Sequence, residues 1–133
     1  MRVASLFLLV LLGAAAYAAL PPLSPAQQLE QASDVVTGRV LDVSSRIQKV
    51  PGGSDRVFQA HVEVAVVEKG STRPGDTLEV RFRQTHRRPD GWAGPQGQNE
   101  ALEEDTRVKL FLLRQDGGHY YMLEPNGWEA LGD

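Results

Sequence analysis

The 133-residue sequence predicts an all-β domain, a small, partly open barrel of five strands with one short helix ahead of the first. Three observations carry this. Successive segments alternate apolar and polar residues with period two, clusters of Gly, Pro and Asp separate them at turn positions, and only one stretch repeats at helical spacing. Alternation alone does not fix closure, so a small β-sandwich is the alternative.

The chain opens with Arg2, an apolar run from Val3 to Leu12 and a small-residue stretch ending Ala16-Tyr17-Ala18. That order is a secretory signal with an A-x-A cleavage site. The apolar run is shorter than the ~20 residues a membrane span needs, and Pro21-Pro22 follows closely, so no stable membrane insertion is expected after cleavage. Residues 1–18 are read as a signal peptide and 19–133 as one domain, exported to a periplasmic or extracellular location. The chain has no cysteine, which excludes both a lipidated N-terminal cysteine and a disulfide framework. Losing Arg2 from 14 basic residues, against 17 acidic ones, takes the formal charge from −3 to −4. An acidic domain has no global field to draw in nucleic acid or anionic membranes.

Ser24-Pro25 begins the helical stretch Ala26 to Ser33, with serine as cap, proline at the first helical position, and Leu29 and Ala32 at helical spacing. From Asp34 the period becomes two. Val36, Gly38 and Val40 share one face; Val35, Thr37, Arg39, Leu41 and Val43 share the other. Aliphatics on both faces predict a strand buried on each side for part of its length, and Gly38 predicts a bulge or bend in it. Ser44 to Asp55, with Pro51-Gly52-Gly53, reads as a polar connection within a long antiparallel hairpin. The next strand, Val57 to Val67, directs Phe58, Ala60, Val62, Val64 and Val66 to the core. Pro74-Gly75-Asp76 turns into a strand over Thr77 to Gln84, with Leu78, Val80 and Phe82 inward and Glu79, Arg81 and Arg83 outward. His86 to Asn99 has no apolar period and reads as a long irregular loop. Arg107 to Leu113 is a strand with Val108, Leu110 and Leu112 on one face, and Asp116-Gly117-Gly118 turns it into His119 to Leu123. The tail, Pro125 to Leu131, is expected to fold back with Trp128 or Leu131 over an open end of the sheet.

This count of strands and the long third connection fit an oligonucleotide/oligosaccharide-binding (OB)-like barrel. The stretches Ala32-Ser33-Asp34-Val35-Val36-Thr37-Gly38-Arg39-Val40, Val62-Glu63-Val64-Ala65-Val66-Val67-Glu68-Lys69-Gly70 and Gly75-Asp76-Thr77-Leu78-Glu79-Val80 resemble the netrin-like superfamily, which includes the tissue inhibitors of metalloproteinases. The resemblance implies the same five-stranded barrel. Those inhibitors chelate the protease zinc through a mature N-terminal cysteine in a disulfide-bound ridge, whereas the expected N-terminus here is Ala19-Leu20-Pro21-Pro22. The resemblance thus supports the fold and undercuts the inhibitory mechanism, which is carried as an alternative.

Candidate binding residues form one sequence cluster. Arg81 and Arg83 share a strand face, His86, Arg87 and Arg88 follow, and Trp92 lies four residues on. Arginines beside an aromatic can hold an anion by charge and stacking, while the bland reading is a solvated strand face. Trp128 is a candidate anchor for a protein partner, or else caps the core. His61, His86 and His119 lack metal-ligand spacing, Glu103-Glu104-Asp105 lacks the pattern of a calcium loop, and no Gly-x-Ser-x-Gly elbow is present. No cofactor, metal or catalytic residue is therefore assigned, and a small hydrolase is kept only as an alternative. The function expected is a non-enzymatic binding module for another envelope or extracellular protein, or for a small anionic ligand.

Overall fold

Ser24 starts the helix as its side chain and spacing require. Its hydroxyl accepts from Gln27 N–H, the Gln27 side chain accepts from Ser24 N–H, and Pro25 occupies the first turn, so helix α1 spans Pro25–Gln31. The computed structural model describes residues 21–132; the signal segment and Ala19 lie outside the described residues. No helix among the described residues is long and apolar enough to cross a membrane.

The rest is mostly β. Strands β1 (Asp34–Val50), β2 (Gly53–Lys69), β3 (Thr77–Arg87), β4 (Arg107–Arg114), β5 (Tyr120–Met122) and β6 (Trp128–Ala130) form one sheet. Antiparallel pairing joins β1 to β2, β2 to β3, β4 to β5 and β4 to β6; β3 and β5 pair in parallel. The first half of β1, from Asp34 to Arg39, also pairs with β4, so the succession β1–β2–β3–β5–β4 returns to β1. The main core lies inside that circuit. Val36, Val40, Val62, Val80, Val108, Leu110 and Leu112 are fully buried there, and Phe58 stacks on Phe82 with ring centroids 4.6 Å apart. A second, smaller cluster packs Ala32 behind α1 against Val35, Phe111 and Leu123. Both faces of early β1 are therefore buried, as its aliphatics on both faces predict.

Four sequence expectations are corrected. The polar stretch from Ser44 to Asp55 is strand rather than connection: β1 and β2 remain in unbroken register from Asp42↔His61 to Val50↔Gly53, leaving only Pro51-Gly52 as the turn. Proline fixes φ at the first position and Gly52 takes φ 79° at the second, the combination a type II turn needs. Val66 is exposed and Val67 packs on the core, because Ala65 is an extra residue between the pairs Gly38↔Val64 and Thr37↔Val66 and reverses the alternation. An equivalent irregularity at Leu41, between Val40↔Val62 and Asp42↔His61, sends Val43 to the core and leaves Leu41 outside. Lastly, there are six strands rather than five: β3 runs on to Arg87, and the tail adds Trp128–Ala130 beside β4 through Val108↔Ala130 and Leu110↔Trp128.

Gly38 shows why early β1 needs a residue without a side chain. An ideal Cβ there would overlap the Glu63 carbonyl oxygen and come within 2.9 Å of Val62 Cγ1, where β2 crosses closely.

Candidate functional site

The outward face of β1–β3 is built from cross-strand rows. Ser44, Gln59 and Arg81 form one row; Arg46, Val57 and Arg83 form the next. Arg81 and Arg83 thus do share a face, as their spacing requires, but acidic side chains already hold both. Arg81 Nε and Nη2 lie 2.8 and 2.7 Å from Glu79 Oε2. Arg83 sits between Glu124, at 3.2 Å, and Asp55, at 3.6 Å.

Asp55 links strand and loop. Its carboxylate, 10% exposed, also accepts from Arg88 at 2.6 Å, and Arg88 donates to the carbonyls of Ser54 and Arg87, both at 2.8 Å. The Arg88 guanidinium lies over the Trp92 ring, 4.8 Å from its centroid. Arginine is suited to this because its planar head can take carboxylate and carbonyl acceptors at its edge while offering a face to an aromatic. The 88–99 segment is further fixed by Thr85 N–H to the Gln96 carbonyl, Gln98 N–H to the Arg83 carbonyl, and a Gln84↔Gly97 bridge. Buried Gln98 donates to the Leu123 carbonyl at 2.5 Å and accepts from Gly127 N–H. A loop without apolar period is here ordered by polar bonds.

Tyr121 completes the network by donating to Glu124 Oε2 at 2.6 Å. Burial first, and the adjacent carboxylate second, push its phenol well above the usual tyrosine range; Arg83 opposes the shift.

The predicted cluster is thus divided. Arg81, Arg83 and Arg88 are committed to ion pairs, Trp92 is stacked under Arg88, and His86 Nδ1 lies 3.0 Å from Ser54 Oγ. Arg87 is exposed, with no side-chain partner among the described residues. Trp128 sits apart, packed against the main core, with Nε1 donating to the Glu100 carbonyl at 3.0 Å. It flanks a groove of about 320 Å³ with Asn99, Pro125, Asn126 and Glu129.

Sequence reading missed Asp55, Glu124, Tyr121, Arg46 and Asp34. Arg46 is exposed, and no ion pair or side-chain hydrogen bond engages it among the described residues. It lines a groove of about 410 Å³ with Ser44, Gln48, Val57, Gln59 and Arg81. The signal for it was available: Ser44, Arg46 and Gln48 alternate at strand period with Ser45, Ile47 and Lys49, although both sets are largely polar. Asp34 is fully buried and accepts from Ser33 Oγ, Ser71 N–H and Arg114, whose charge its hydrogen bond stabilises further. It ties the start of β1 to the β2–β3 turn. His61 pairs with Asp42 at 2.7 Å, and no group of three His, Asp or Glu able to hold a metal occurs among the described residues.

No family model, curated protein or solved structure matches the chain.

Proposed function

We propose that the chain is an exported, non-enzymatic binding module, an OB-like and netrin-like barrel. It takes a small anionic ligand, or an acidic group of another envelope or extracellular protein, on the outward face of β1–β3. The barrel reading is supported by the return of the pairings to β1 and by the parallel contact of β3 with β5. The binding reading is carried by one observation. Arg46, with no ion partner among the described residues, stands on the wall of the 410 Å³ groove beside the hydroxyl of Ser44 and the amides of Gln48 and Gln59. A free guanidinium with neutral donors around it can take a carboxylate or phosphate without first breaking a resident ion pair.

The contact surface is therefore shifted from the cluster around Arg83 and Arg88 toward Arg46, with Arg81 at its border. The test is capture of partners from the native envelope fraction, run with a panel of small anions in thermal-shift assays, comparing wild type with Arg46→Ala. Loss of a specific partner or anion shift in Arg46→Ala, with the same loss absent in Arg87→Ala, supports the groove. Retention in Arg46→Ala with loss in Trp128→Ala moves the site to the other groove and refutes this one.

A further inference from the structure

Beyond Arg39 and the bonds that join Val40 to Thr106 and Asp105, β1 leaves β4 and continues from Leu41 to Val50, about five repeats of the pleat, with β2 as the one strand paired to it. Residues 44–49 are all exposed, and among the described residues no strand covers the second edge of this arm. From the structure we infer that this edge is a self-association surface, on which a second copy of the chain pairs antiparallel with β1 about a two-fold axis at Ser45.

Three features select a second copy in this register. The first is hydrogen-bond phase. Val43 N–H donates to Glu104 Oε1 and so points away from β2; because the register is unbroken from Asp42 to Val50, the backbone groups of Ser45, Ile47 and Lys49 point the same way. Centring the axis on Ser45 sets Ser45 opposite its counterpart and Val43 opposite Ile47 of the second copy. Val43, Ser45 and Ile47 of each copy then meet one another, giving about six backbone hydrogen bonds, while Lys49 falls opposite Leu41 at the bulge, beyond the paired stretch. The second feature is facial matching. Val43 and Ile47 lie on the core side of the sheet, and Ile47, 46% exposed, gains an apolar neighbour directly across the edge. The third is charge. On the opposite face Ser44 meets Arg46 and Asp42 meets Gln48, with Arg46 diagonal to Asp42, so no two like charges stand directly opposed. Centring on Arg46 instead would set two arginines face to face. The Glu104 carboxylate occupies the Val43 donor and must leave it on pairing, which makes Glu104 the guard of an otherwise open edge.

The experiment uses the protein as processed by an expressing cell. Since the chain has no cysteine, a single introduced thiol reports proximity without background. Ser45→Cys is expected to link to its counterpart through a short bis-thiol reagent, because opposed residues in such a ladder lie about 5.5 Å apart. Gln48→Cys is expected not to link, since its counterpart lies six residues along, about 20 Å away. Sedimentation of wild type should show a concentration-dependent dimer, weakened at least tenfold by Ile47→Lys and strengthened by Glu104→Ala. Equal linking of Ser45→Cys and Gln48→Cys, or a wild type monomeric at every concentration reached, overturns the inference. If Ile47→Lys fails to fold, by loss of the wild-type circular dichroism, the two cysteine variants decide alone.

Discussion

Asp55→Asn is the sharpest test of whether the arginine cluster serves the fold. The substitution keeps shape and one acceptor oxygen but removes the charge shared by Arg83 and Arg88. Removing one partner of a fully buried ion pair costs about 3–5 kcal/mol, because it strands the other charge. Here the stranding is incomplete: Arg83 keeps Glu124 at 3.2 Å, and Arg88 keeps two carbonyls at 2.8 Å. What is lost is one strong charge-assisted bond at 2.6 Å and a weaker contact at 3.6 Å, so the cost should be about 2–3 kcal/mol. For a domain of this size that lowers Tm by about 8–12 °C. Thermal unfolding followed by circular dichroism measures it, and acrylamide quenching of Trp92 fluorescence, in a Trp128→Phe background, reports whether the 88–99 segment has come free. A Tm within about 2 °C of wild type, the range of an ordinary surface substitution, would refute the assignment and return Arg83 and Arg88 to the pool of ligand-binding candidates.

Three further outcomes are expected. Gly38→Ala should destabilise by about 2–3 kcal/mol in denaturant titration, since the added Cβ meets backbone of β2 and cannot be relieved by a rotamer change. Tyr121→Phe should flatten the alkaline limb of the stability curve. In the folded state the phenol ionises above its unfolded value of about 10, so its contribution is complete below pH 10 and is lost as the pH rises further, which Tm against pH detects. Ser24→Ala should cost about 1 kcal/mol and leave the sheet intact, seen as faster hydrogen exchange confined to α1, because the capping box there satisfies backbone donors of a helix only seven residues long.

What the sequence made legible was set by contrast between strand faces. In β3 the inward residues Leu78, Val80 and Phe82 are buried and their neighbours Glu79, Arg81 and Arg83 are charged, so period two was visible and correct; in β4 Val108, Leu110 and Leu112 are buried likewise, although Phe111 and Leu113 on the other face are apolar too and pack in the second cluster. In the first strand's outer stretch both faces of Ser44 to Lys49 meet water, so the two alternating sets are both largely polar and the strand resembles a loop. At Leu41 and Ala65 a single inserted residue reverses the alternation, and nothing in composition marks which of two adjacent valines stays inside. The ion pairs were hidden for a different reason. Arg83 meets Glu124 across 41 positions and Arg88 meets Asp55 across 33, distances over which charge patterning carries no signal. The same strands whose alternation was readable brought those partners together, so Arg81 and Arg83 were placed on the right face with the wrong company.

That company determines where binding can be sought. An acidic chain that pairs Arg39, Arg81, Arg83, Arg88 and Arg114 to its own carboxylates offers anions the cations those carboxylates have not reached, and Arg46 lies on the part of β1 that contributes least to the core. The circuit of pairings buries Val36 and Val40, whereas residues 44–49 of β1 are all exposed, although their β2 partners stay paired to β3 as far as Ser54↔Arg87. Residues on the arm can therefore change with little effect on folding, which is what allows a groove and a free edge to occupy the same segment. It also makes the two proposals separable. Arg46→Ala removes the cation from the groove and leaves the backbone donors of Ser45 and Ile47 in place, while Ile47→Lys alters the edge on the opposite face. If Ile47→Lys abolishes dimers and anion binding survives, the groove is complete in one copy. If both are lost together, the second copy supplies part of the site, through its own Arg46, which the register sets opposite the groove residue Ser44.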